Sequence, residues 1–164
     1  MQETHEKLNE IRTLRENLAS WSRIQVYVTS AGEVKRAVAD QAMHKLRERI
    51  RQLTRRTKGR SLEQIAEGLK GYVPGWKAYF RLAQTPKVMR ELDKWLRHRL
   101  RAVRLKQWRR GTTMFRELRK LGASVEEAAI IAANARRWWH NSRMRLNRVM
   151  PIAYFDRLGV PKFS

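Results

Sequence analysis

The sequence predicts an all-α protein: a bundle of about three main helices, an amphipathic N-terminal helix and a helical C-terminal extension. Three observations carry this. Apolar residues recur at three- and four-residue spacing in several stretches, the period of a single helix face. Helix-start signals stand beside those stretches: Ser61 with Gln64, Thr85 with Pro86, Ser124 with Glu127. The one short alternation, Ile24-Gln25-Val26-Tyr27-Val28, reads as a strand that Thr29-Ser30-Ala31-Gly32 breaks.

Taken in order, residues 3–20 place Leu8, Ile11, Leu14 and Leu18 on one helix face. Asp40 can cap a helix running to about Arg56, with Met43, Leu46, Ile50 and Leu53 as its buried stripe and Lys58-Gly59-Arg60 as its end. Ser61 opens the next helix, which Gly71 and Pro74-Gly75 are expected to interrupt, leaving a short aromatic helix from Trp76 to Leu82. Trp76, Tyr79 and Phe80 are expected to form a core cluster. The helix opened by Thr85-Pro86 should reach about Arg109, roughly 35 Å at 1.5 Å per residue, with Gly111 as its stop. A short helix over 113–121 closed by Gly122 and an Ala-rich helix through Arg136 come next. Trp138 and Trp139 are adjacent and cannot share a helix face, so one should pack while the other is exposed or capped by an arginine. Pro151 opens a last turn or two, ended by Gly159.

Charge sets the class of partner. The 164 residues hold 37 Lys and Arg against 15 Asp and Glu, a net charge of +22. An excess of that size calls for a polyanion: nucleic acid first, an anionic membrane second. With 42% apolar residues the chain can build a core. It has no Cys, and its four His (His5, His44, His98, His140) are far apart, so neither a metal site nor a cofactor is expected. No apolar run approaches the roughly 20 residues of a membrane span, and the first residues lack a signal peptide's apolar core. A cytoplasmic protein is expected. The charge is unevenly spread: residues 1–33 carry four basic and five acidic side chains, and residues 34–164 carry 33 and ten. Three parts are expected, an N-terminal helix and linker (1–33), a basic helical domain (34–122) and a helical extension (123–164).

Catalytic chemistry finds little support. Asp40, Asp93 and Asp156 are too scattered to suggest a two-metal carboxylate cluster, and no phosphate loop, serine elbow or His-Glu metal motif is present. The basic residues are more informative. Arg90, Lys94, Arg97, Arg101 and Arg104 recur at 4-3-4-3, which puts them on one helix face, separate from the apolar stripe of Met89, Leu92, Leu96, Leu100 and Val103. Trp108 continues the basic ridge, followed by Arg109 and Arg110. A cationic ridge ending in an indole suits phosphates followed by an unstacked base. Arg47, Arg51 and Arg55, running into Arg56, Lys58 and Arg60, make a second patch. Arginine dominates both, and its planar fork grips phosphate bidentately.

Several of these segments resemble the group II intron maturase-specific domain. Leu46–Leu62 looks like its opening, and Gly75-Trp76-Lys77-Ala78-Tyr79-Phe80-Arg81 resembles its Gly-Trp-x-x-Tyr-Phe motif. Arg90–Arg101 is similar to its Leu-Asp-x-Trp basic helix. Lys106–Arg110 and Pro151–Pro161 are similar to the tail of bacterial intron-encoded proteins. The resemblance covers about residues 40–161 and implies a thumb-like helical domain, in a bacterial protein, that follows a reverse transcriptase and grips intron RNA. The chain departs from the family's pattern in its first 33 residues, which do not look like a polymerase domain with its Tyr-x-Asp-Asp site, and at Leu69-Lys70-Gly71-Tyr72, where Leu-Asn-Pro is usual. The Cys- and His-bearing endonuclease domain of some members is missing too.

The expected function is therefore binding of structured group II intron RNA in support of its folding and splicing, by a protein that is not itself an enzyme. RNA contact is expected at the two basic patches and at Trp108, with DNA as a second polyanion. Two alternatives stand beside it: a remnant or fragment of an intron reverse transcriptase that needs a polymerase core in trans, and a general basic nucleic-acid-binding protein.

Overall fold

The computed structural model describes residues 24–28, 30, 32–55, 59–81, 83, 85–143 and 146–164, with the side chain of Tyr27 left aside. The helix expected over 3–20 lies outside these residues, as does Leu82. Among the described residues there are eight helices and one two-stranded sheet, so the fold is broadly all-α. In chain order they are β1 (Ile24–Val28), β2 (Val34–Val38), α1 (Asp40–Leu53), α2 (Leu62–Tyr79), α3 (Pro86–Trp108), α4 (Gly111–Lys120), α5 (Val125–Ala133), α6 (Trp138–Asn141), α7 (Leu146–Val149) and α8 (Ile152–Arg157).

The described residues fall into two compact units. One holds residues up to Arg49 together with Ala78–Thr85; the other holds Ile50–Lys77 and Pro86–Ser164. In the first unit β1 and β2 pair antiparallel, from Ile24 opposite Val38 to Val28 opposite Val34. The second strand was not anticipated, because Val34-Lys35-Arg36-Ala37-Val38 does not alternate cleanly. Val26, Val28 and Val34 remain about two-thirds exposed. Val38, Ala39, Met43, Leu46 and Phe80 are buried in this unit, while Tyr79, expected in the core, is 54% exposed. Adjacent aromatics on a helix point about 100° apart, so Tyr79 and Phe80 cannot both face inward; their rings meet edge to face at 4.8 Å.

The second unit carries the long helices. The Ser61–Gln64 capping box forms as expected: Gln64 N–H donates to Ser61 Oγ at 3.2 Å, and Ser61 N–H donates to Gln64 Oε1 at 2.9 Å. The Thr85 hydroxyl, by contrast, is buried and caps no N–H. The interruption expected at Pro74 does not occur, and α2 runs through it. Proline removes one N–H and crowds the carbonyl four residues back. Here Leu62, Ile65, Ala66, Leu69 and Val73 form one fully buried stripe, and its burial outweighs the lost hydrogen bond. Near the end of α2, Trp76 meets Phe163 edge to face at 5.8 Å.

On α3, Leu92, Leu96, Leu100 and Val103 are buried as the spacing implied. The helix packs against α4 and α6. Gly111 does not stop α3. It opens α4, and a Cβ there would lie 2.8 Å from the Ala132 carbonyl, so the glycine lets α4 approach α5 closely. Gly122 does end α4: at φ 89° it closes the turn, with Ala123 N–H donating to Leu118 O and Gly122 N–H to Arg119 O. The Ser124–Glu127 capping box then starts α5, and Glu127 also pairs with Arg148.

Candidate nucleic-acid interface

The face of α3 expected to be a continuous cationic ridge is interrupted. Arg90 and Lys94 are exposed and Arg97 is half-buried. Arg101 is 6% exposed. Its Nε and Nη2 donate to the Met150 carbonyl at 3.1 and 2.9 Å, and its guanidinium sits 5.5 Å from the centre of the Phe155 ring. Burial, with Arg97 nearby adding to it, pushes its pKa down to about 10. Arg101 is thus a post tying α3 to the segment around Met150, and the expectation that it contacts phosphate is corrected. Arg104 is occupied as well: Nε donates to Tyr154 Oη at 3.1 Å and Nη2 to Glu63 Oε1 at 3.1 Å. The Glu63 carboxyl is held below its usual range, first by its own backbone N–H and then by Ser61, with Arg104 adding to it. The cause of both corrections is the same. Residues 146–157, read from sequence as an appendage, pack onto the very face of α3 that carries positions 101 and 104.

The remaining expected contacts are dispersed. Arg47 is exposed in the first unit. In the second, Arg51 and Arg99 place their guanidinium carbons 5.8 and 5.3 Å from the Trp95 ring centre. Arg55 and Arg60 are exposed, and the Arg60 carbonyl accepts from Gln107 Nε2. Arg56 and Lys58 lie outside the described residues. Trp108 is half-buried. Arg109 and Arg110 are exposed, and Arg109 holds a left-handed backbone at φ 52°. Arg109 also lines a cavity of about 190 Å³ with Lys106, Arg136 and Trp138.

Lys94 and Arg97 are brought together with residues the sequence did not single out. They line a groove of about 850 Å³ between α3 and the 142–152 segment, together with Trp95, His98, Arg143, Asn147 and Ile152, and Arg101 lines it too, its donors held by Met150. The His98 ring stacks on Trp139 with centroids 4.0 Å apart and a tilt of 34°, and its Nε2 lies 3.1 Å from the Trp139 carbonyl. Trp139 is 39% exposed and Trp138 half-buried, so the exposed half of the expectation for the indole doublet is met while neither ring is fully packed. Lys94 pairs with Glu91 at 2.8 Å, an exposed contact that a phosphate can displace at little cost. Arg143 left no trace in the sequence pattern; it follows a four-residue helix too short to show a period.

Burial holds the His98 pKa below 6.5, and Arg143, Arg101 and Arg99 push it the same way, against the hydrogen bond to Trp139. The imidazole is therefore neutral at pH 7, with Nε2–H donating. The unfolded chain takes up a proton near pH 6.5 while the folded one does not. Stability should fall with pH between 6.5 and the lowered folded value, and level off below it. Urea unfolding at pH 7.5 and 5.5 checks this: the loss should be smaller in His98→Gln than in the unaltered protein, and an equal loss would remove His98 as its source.

Set beside known protein families, residues 43–122 match the group II intron, maturase-specific domain. This stretch is a maturase-specific domain. The match spans just under half of the chain, and a maturase-type role tied to group II introns is what such a domain implies. Among curated proteins nothing matches the chain. The maturase-specific domain runs from Met43 in α1 to Gly122 after α4 and so supplies one wall of the groove; Arg143, Asn147 and Ile152 lie beyond it. Such a domain is not a catalytic polymerase domain. Among the described residues no three His, Asp or Glu side chains converge to hold a metal, and no helix is long and apolar enough to cross a membrane.

Proposed function

We propose that this protein binds structured group II intron RNA through the α3 groove face and assists its folding and splicing. One observation carries the reading: Lys94, Arg97 and Arg143 converge on a groove bordered by aromatic rings, and α3 belongs to the maturase-specific domain. Arg51, Arg55, Arg60, Arg90, Arg109 and Arg110 add charge to the second unit, and Arg47 adds charge to the first. The protein neutralises phosphates that crowd as the RNA compacts. Binding the compact state alone shifts the folding equilibrium toward it by mass action, and the RNA supplies the chemistry of splicing.

The direct test is splicing of a group II intron at low magnesium, with and without the protein. Faster splicing with protein is the expected result; an unchanged rate would leave only RNA binding. Salt tests the electrostatic part. With about six phosphates engaged, affinity should fall about a thousandfold between 50 and 200 mM salt. A flat response would remove the phosphate contacts from the account. Equal affinity for an unrelated duplex would favour a general basic nucleic-acid-binding protein instead.

A further inference from the structure

Neutralising a phosphate backbone requires cations on an open face; it requires neither a cavity nor exposed rings. The α3 groove has all three. Its volume of about 850 Å³ lies in the range of about 300–1,000 Å³ typical of pockets that enclose small ligands. Arg97 and Arg143 make no side-chain hydrogen bond or ion pair among the described residues, so their charge is available. Glu91, engaged by Lys94, is the one acid in the lining. The other lining is of a different kind: Trp95, the His98 ring stacked on Trp139, and Ile152, which is 48% exposed. Asn147, also in the wall, carries an amide that can donate and accept toward a base edge. This lining suits an occupant that is anionic at one end and flat at the other.

Resting on the RNA-binding reading above, we propose that this groove receives a single unpaired RNA nucleotide, its base against the Trp95 and His98 wall and its phosphate between Lys94, Arg97 and Arg143. A stacked duplex cannot present a base in this way. A bulged or looped-out nucleotide can: loops and bulges are where RNA offers unstacked bases to aromatic rings, and stacking on a ring is a contact every base can make. The neutral imidazole fits the same occupant, since its Nδ1 is left as an acceptor while Nε2–H is held by the Trp139 carbonyl. The groove would thus select RNA by the presence of an extruded base, and the exposed cations around it would add affinity without selecting.

Two RNA hairpins, identical except for one bulged 2-aminopurine nucleotide, test this with the full chain. The bulged hairpin should bind about tenfold more tightly, and its 2-aminopurine fluorescence should drop on binding as the base stacks. Ile152→Trp, which fills the groove from an exposed position, should bring the two affinities together while keeping that for the plain hairpin. Arg110→Glu, outside the groove, should weaken both and preserve their ratio. Equal affinities with unchanged fluorescence would overturn the groove proposal and leave RNA binding standing. Binding to neither hairpin would overturn both. A folded Ile152→Trp that kept the preference would also overturn the groove proposal, and the fluorescence readout on the unaltered protein needs no variant to fold.

Discussion

Arg101→Glu should unfold the protein, whereas Arg97→Glu should leave it folded and weaken its hold on RNA. The two residues sit one helical turn apart on α3 and look equivalent in the sequence. Arg101, however, is buried beneath the segment around Met150, where Nε and Nη2 both donate to one carbonyl and no carboxylate among the described residues pairs with it. A glutamate there would bury a negative charge against a carbonyl oxygen, with a cost of about 3–5 kcal/mol, comparable to breaking a buried ion pair. Arg97 is half-buried at the groove, and its reversal leaves the core intact. Circular dichroism and urea unfolding separate the two outcomes. If Arg101→Glu folds normally and loses only RNA affinity, the assignment of Arg101 as a structural post is wrong.

The second large effect is expected at Asp93. Its carboxylate is 3% exposed and accepts from Phe163 N–H at 2.8 Å, Ser164 N–H at 3.0 Å and Ser164 Oγ–H at 2.7 Å. These bonds seat Phe163, whose ring is buried and meets Trp76. Asp93→Ala removes the acceptor and strands buried donors, so stability should fall by about 3 kcal/mol. Asp93→Asn keeps one carbonyl oxygen and should cost less. Urea unfolding curves compared by midpoint at equal slope give the measurement. A loss below about 0.5 kcal/mol, the scale of an ordinary surface substitution, would show that these hydrogen bonds do not anchor residues 163 and 164. RNA affinity per folded molecule should stay unchanged.

These two residues also mark where the sequence was legible and where it was not. The order and type of the main helices followed from local chemistry: capping boxes, a glycine closing α4, apolar stripes at helical spacing. Such signals sit within a few residues of what they determine. The maturase-specific resemblance was equally local, carried by short motifs in a fixed order. The candidate site was legible only in part, because its composition depends on which distant segment covers which face. Spacing alone placed Arg101 and Arg104 beside Lys94 and Arg97; the packing of residues 146–157 on α3 then tied the first two to protein partners, leaving Arg101 in the groove wall but held by Met150, and brought Arg143 in. Asp93, one of the three scattered aspartates, holds backbone N–H groups 70 and 71 residues away. Pro74 misled for the opposite reason, since a local helix-breaking signal was overridden by a buried stripe.

Arg109 closes α3 with its backbone at φ 52°, where a glycine would sit without strain and a residue with a side chain costs about 1–2 kcal/mol. Arg109 is exposed, and it lines the small cavity with Lys106, Arg136 and Trp138. The protein thus holds a cation in place at the expense of its own stability, at the residue that follows α3. Arg109→Gly should reveal both sides of it at once, as a chain that resists urea better and holds RNA less tightly.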